Sequence, residues 1–183
     1  MSITQLSPRR TIASAEDLAW FWAIIDRTTG QDEDAQIEAL RSGLAALSDQ
    51  DLVDFIHLFN GQNDALYSWR LWAAAYLING GCSDDGFIDF RSWLISRGRA
   101  VTEASFRDPD SLAALNIEMD TATFEDFAYV MSGVFRGRSG GDYPQFPGEG
   151  QRGEPDDPDW GFDFEDEPQM RARLPRLAEQ FLT

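Results

Sequence analysis

The sequence contains no lysine, and its 15 basic residues other than the single histidine are all arginine. That absence excludes a lysine Schiff base and a phosphate-binding P-loop, since both require an ammonium group. Codon bias is the plain reading of an all-arginine complement. Cysteine is almost missing too. Cys82 is the only one, so neither an intramolecular disulfide nor a multi-cysteine zinc site can form. No apolar run approaches the roughly 20 residues that cross a bilayer, the longest being residues 19–25 and 72–78. Arg9 and Arg10 resemble the start of a twin-arginine signal, but Glu16 and Asp17 follow almost at once in place of an apolar stretch. The cytoplasm is therefore the expected location.

Acid is abundant. Against the 15 arginines stand 32 aspartates and glutamates, giving a net charge of −17. Such an excess repels phosphate backbones and anionic membrane surfaces, so nucleic acid and membrane are not expected partners. A basic protein surface is the expected partner, and a small-molecule ligand remains a second option. At 43% hydrophobic and 13% aromatic residues over 183 positions, the chain has enough core-forming side chains for one ordinary domain.

The apolar pattern is helical. Ser14 is placed to cap a helix with Glu16 and Asp17 in its first turn and Leu18, Phe21, Trp22 and Ile25 on one face, ending at Gly30. Ile37, Leu40, Leu44 and Leu47 define a second helix. Ser48 with Asp51 opens a third, lined by Leu52, Phe55, Ile56 and Phe59, and residues 60–64 read as a turn. Residues 66–78 form a fourth, apolar nearly all round and so expected to be buried. Asn79-Gly80-Gly81 stops it, and Ser83 caps a fifth running to about Arg97. Shorter stretches follow at 101–106 and 109–115, and another starts at Thr121 or Thr123. No strand alternation persists. The expected fold is mainly α: a single-domain helical bundle over residues 15–136, preceded by an N-terminal extension (1–14). An extended, acidic, Gly/Pro-rich connection (137–159) then leads into a C-terminal arm with a short helix (160–183). The aromatic residues Trp160, Phe162 and Phe164 predict that the arm packs back on the domain. Its alternation of aromatic and acidic residues also suits a partner-binding peptide.

The densest polar stretch is the Asn79–Gly86 corner. On a helical wheel Arg91 lies about 40° from Phe87 and about 60° from Leu94, inside an apolar face. A buried guanidinium calls for a partner, preferably a carboxylate. Asp84, Glu103, Glu118 and Asp126 are the candidates. The candidate polar site is therefore Tyr76, Asn79, Cys82, Asp84, Asp85 and Arg91, and Trp69 and Trp72 are placed to frame it. Two roles compete for Arg91: a structural pair fixing helix register, or a clamp for an anionic ligand. Cys82 sits just ahead of a helix N-terminus, where its thiolate would be favoured. The only base to activate it would be His57, which the wheel turns toward solvent, so a catalytic dyad is not expected. Asp84 and Asp85 suit a first helical turn. Asp156, Asp157, Asp159 and Asp163 fail calcium-loop spacing. No catalytic residues, no metal and no cofactor are expected.

Trp69-Arg70-Leu71-Trp72-Ala73-Ala74-Ala75-Tyr76-Leu77-Ile78-Asn79-Gly80-Gly81-Cys82-Ser83-Asp84-Asp85-Gly86-Phe87 leads on to Phe90-Arg91-Ser92-Trp93-Leu94-Ile95, Gly98-Arg99 and Pro109-Asp110-Ser111-Leu112. Together with Phe21-Trp22 and Ile25-Asp26, these residues make the chain similar to a bacterial family known only as a domain of unknown function. The resemblance runs over about residues 18–135. It implies a bacterial, cytoplasmic, helical domain and brings no activity or site residues. The leading functional expectation is then a non-enzymatic binding or regulatory module of inhibitor, immunity or adaptor type that recognises a basic partner. The alternative is a small enzyme or anionic-ligand-binding protein with its site at the Cys82–Gly86 turn.

Overall fold

The computed structural model describes residues 2–141, 144, 153–155 and 157–182. Among them the structure is helical with no strand. The α-helices are α1 (Ala15–Ile25), α2 (Glu33–Ala45), α3 (Asp49–Ala65), α4 (Trp69–Asn79), α5 (Asp84–Ser96), α6 (Arg99–Arg107), α7 (Glu125–Ser139), α8 (Glu167–Arg173) and α9 (Pro175–Phe181). A 3-10 helix, Pro109–Ala114, joins α6 to the loop that enters α7.

Side-chain caps set most of the starts. Ser14, Asp32, Ser48, Ser68 and Ser83 each accept a hydrogen bond from a backbone N–H three residues on, satisfying one of the donors a helix N-terminus leaves open. The first helix stops at Ile25 rather than at Gly30, where the Thr28 hydroxyl donates to Ile25 O at 2.8 Å and Thr29 to Asp26 O at 3.0 Å. Residues 60–64, expected as a turn, instead complete α3. Gly61 costs about 1 kcal/mol in helix propensity, but a Cβ there would lie 2.6 Å from Ile12 Cγ2. The N-terminal segment thus packs directly on this turn, and tertiary contact outweighs local preference.

α5 is the central helix, packing against α3, α4, α6 and α7, while α2 lies along α7 and α1 against α2 and α3. A column of rings joins α4 to α5. Trp69 stacks on Trp72 at 5.2 Å, Trp72 on Phe87 at 4.7 Å, Phe87 on Phe90 at 6.1 Å and Phe90 on Trp93 at 5.6 Å. Phe21, Phe55, Phe127 and Phe135 are fully buried in the same core. Truncating any one of these would cost about 3–5 kcal/mol.

Both flanks are fastened to this core. At the front, the buried Asp54 carboxylate accepts the backbone N–H of Arg9 at 2.6 Å and a side-chain N–H of Gln50 at 3.2 Å, while the Arg10 guanidinium lies 4.2 Å over Trp20 and pairs with Asp17 at 3.1 Å. At the back, Met170, Leu174, Leu177 and Ala178 are buried, and α9 packs on α4 and on the 3-10 helix. The arm carries two short helices, α8 and α9, where one was expected. Leu174 precedes Pro175, which disfavours helical angles for the residue before it, and Leu174 sits at φ −130°, ψ 60°. The arm does pack back on the domain over its described residues, with Phe164 edge-on to Trp69 and Tyr76. Residues 142, 143, 145–152 and Asp156 of the expected 137–159 connection lie outside the described residues, and α7 extends to Ser139 at its near end.

Candidate functional site

The Asn79–Gly86 corner is built to join helices. Gly80 takes the left-handed conformation at φ 66°, and both its N–H and that of Gly81 return to Tyr76 O, the helix-ending geometry that glycine allows without a Cβ clash. Asn79 exchanges two hydrogen bonds with Ala122: its amide donates to Ala122 O at 3.2 Å and its carbonyl accepts from Ala122 N at 3.1 Å. Asp120 N donates to Ile78 O at 3.0 Å. The loop before α7 is thereby pinned to the end of α4. The Trp72 indole N–H reaches Cys82 O at 3.0 Å, and Ser83 Oγ accepts from Gly86 N at 3.2 Å to start α5.

Arg91 is held inward, with 6% of the residue exposed. Nε donates to Phe87 O at 3.2 Å and NH1 to Asn63 O at 2.8 Å, and the guanidinium lies 5.1 Å from the Tyr67 ring centroid and 4.9 Å from that of Phe87. Carbonyls and aromatic faces therefore meet it, a combination that suits a desolvated arginine. Of the carboxylates named as candidate partners, Glu103 is bonded to Arg99 instead, at 2.6 Å.

The six expected site residues do not converge on one space. Asp84 and Arg91 both lie close enough to Cys82 to act on it electrostatically. Tyr76 turns toward the arm, where burial and the Glu165 and Asp163 charges push its hydroxyl pKa up. Asn79 is committed to Ala122. Asp84 and Asp85 are exposed in the first turn of α5. The expected thiolate stabilisation at Cys82 fails. Burial dominates and pushes the thiol up to about 12, against the favourable effect of the Trp72 side chain and Arg91, and its Sγ faces Ser83 O at 3.6 Å. His57 is half-buried rather than solvent-facing, because the N-terminal segment covers that flank of α3. No group of three or more metal-ligating side chains is brought together among the described residues. An open depression of about 520 Å³ lies elsewhere, lined by residues 113–117, Met119, Gln180 and Phe181.

A second surface was not legible in the sequence. Asp85, Ile88 and Asp89 lie off the buried stripe of α5, and Glu125 and Tyr129 on α7 are near enough to Asp89 for their charges and hydroxyl to interact with it. The two helices are tied where Phe124 N donates to Asp89 O at 3.3 Å. Burial, Glu125 and Asp85 together raise the Asp89 carboxyl pKa above the usual carboxylate value. Ile88 is 46% exposed and Tyr129 57%, and the Tyr129 hydroxyl bonds Glu125. Only the packing of α5 on α7 creates this face. Hydrophobic spacing could have flagged Ile88 as lying off the buried stripe, but nothing in the sequence puts Tyr129 near Asp89.

A family model described as "Protein of unknown function (DUF4240)" matches residues 17–136, from the first turn of α1 into α7. No curated protein and no solved structure matches the chain.

Proposed function

The chain belongs to the DUF4240 family, and from that premise, which assigns no activity, we propose that it is a protein-binding or regulatory module recognising a basic partner surface. The observation carrying this reading is the use made of the arginines. Arg10 serves Asp17, Arg138 bonds Asp49 and carbonyls at the end of α2, Arg176 bonds Asp108 and Asp110, and Arg91 lies in the core. These cations tie the molecule to itself and leave the acid of a −17 chain facing outward. Such a field raises the rate and selectivity of encounter with a cationic surface. A bacterial cytoplasmic setting is part of the same proposal.

The anionic-ligand alternative draws less support, since the Arg91 guanidinium donates to the Asn63 and Phe87 carbonyls, Asn79 bonds Ala122, and burial pushes the Cys82 thiol up. The test is retention of proteins from native lysate on the immobilised chain. Specific partners should be kept at about 0.05 M salt and released at about 0.5 M, where screening shortens to a few ångströms. A chain that keeps none at low salt refutes the reading.

A further inference from the structure

The α5–α7 face carries a more specific inference. We propose that Asp85, Asp89 and Glu125, with Tyr129 bonded to Glu125 and Ile88 next to Asp89 on α5, form the docking surface for a cationic protein segment carrying arginine or lysine next to an apolar side chain. This rests on the basic-partner reading above and assigns it a place.

Three observations support the location. First, none of the three carboxylates is paired with an arginine among the described residues, whereas Asp17, Asp49, Asp54, Asp108 and Asp110 all have arginine or backbone N–H partners. Second, like charges face one another here: Asp85 and Asp89 are one helical turn apart, and Glu125 approaches from α7, so an incoming cation relieves repulsion as well as gaining attraction. Third, two of the large apolar side chains the protein leaves exposed belong to these helices, Ile88 next to Asp89 on α5 and Tyr129 bonded to Glu125 on α7. Exposed aromatic and aliphatic side chains beside charged groups are common at interfaces, and the Tyr129 ring can also receive a guanidinium face-on. A nucleic acid or an anionic lipid would meet only repulsion on this face.

The experiment titrates the full chain with a synthetic peptide alternating arginine and leucine, read by calorimetry at low salt. The D89N/E125Q variant is compared with a control, E16Q/E179Q, which removes the same two charges at exposed positions elsewhere. The expected result is a loss of about tenfold in affinity for D89N/E125Q and less than about twofold for the control. Tyr129→Ala should weaken binding with its charge intact, and circular dichroism should report an unchanged fold for each variant. Equal weakening by both double variants would overturn this location and leave the basic-partner reading standing, because the peptide would then be sensing net charge alone. Unaltered affinity in both double variants would overturn the location likewise. Failure of the peptide to bind the native chain would overturn the partner reading itself.

Discussion

Cys82 precedes the N-terminus of α5 by two residues, where a helix dipole favours thiolate. Even so, removal from water dominates and holds the thiol up at about 12. At pH 8 the thiolate fraction is then lower than that of a free thiol by about a thousandfold, so a chromogenic disulfide reagent should label the native chain far more slowly than the urea-unfolded one. Rapid native labelling would contradict this environment. Arg91 carries a separate prediction. Arg91→Met keeps the stem packed against Phe87 while removing the donors to Asn63 O and Phe87 O, a loss of about 2 kcal/mol in urea unfolding, and binding of the arginine–leucine peptide should be unaffected. Asp89 has the opposite sign from a stabilising carboxylate. Its folded-state pKa lies above the ordinary value, first from burial and then from Glu125 and Asp85, so ionisation costs stability at neutral pH. As pH falls through that raised pKa, the native aspartate takes up a proton and the penalty disappears. Asp89→Asn should therefore stabilise at pH 7 by about 0.2–0.5 kcal/mol, the size of one like-charge contact a helical turn apart. The gain should shrink on acidification, as read from melts at successive pH values.

At the scale of elements, caps and apolar spacing carried most of the information. Ser14, Ser48 and Ser83 start α1, α3 and α5 where a short polar side chain precedes an apolar run, because capping is local chemistry that survives any tertiary arrangement. What local pattern could not convey was contact from distant segments. Residues 60–64 have turn composition but complete a helix against which Ile12 is pressed. Arg91 was legible as inward from its wheel position, whereas its Asn63 carbonyl partner depends on how α3 crosses α5. The fastening at Asp110 was equally invisible. Its buried carboxylate accepts Leu177 N at 2.9 Å, Arg176 N at 3.1 Å and Arg176 Nε at 2.9 Å, closing the start of α9 from 66 residues away. An Asp110→Ala change leaves those donors uncompensated and should cost about 3 kcal/mol. Limited proteolysis should then cut between α8 and α9 at denaturant concentrations where the native chain resists. Loss of stability without enhanced cleavage there would mean that the carboxylate acts on the 3-10 helix alone.

For the molecule as a whole, the question is whether salt stabilises or destabilises it. The ion pairs of Arg41, Arg99 and Arg171 are partly or largely solvent-exposed, and such pairs contribute about 0–1 kcal/mol each, which salt erodes. Opposing them is the mutual repulsion of a net −17 confined within a radius of gyration of about 16 Å. At about 0.01 M salt the screening length is about 30 Å, so every excess charge feels all the others; at about 1 M it is about 3 Å, and only immediate neighbours interact. Unfolding relieves that repulsion by expanding the chain. The long-range term grows with the square of the net charge and the pair term only with the number of pairs, so repulsion dominates and salt should raise Tm. The buried or partly buried fastenings at Asp54, Asp110 and Arg138 respond little because solvent ions do not reach them well. Melts in sodium chloride from about 0.01 to 0.5 M should therefore rise steadily. The D89N/E125Q variant, with two repelling carboxylates removed from one face, should start from a higher Tm and climb less. A Tm that fell with salt would mean that attraction between acids and arginines outweighs the excess charge, and the outward acidic field on which the proposed partner recognition rests would be far weaker than the composition implies.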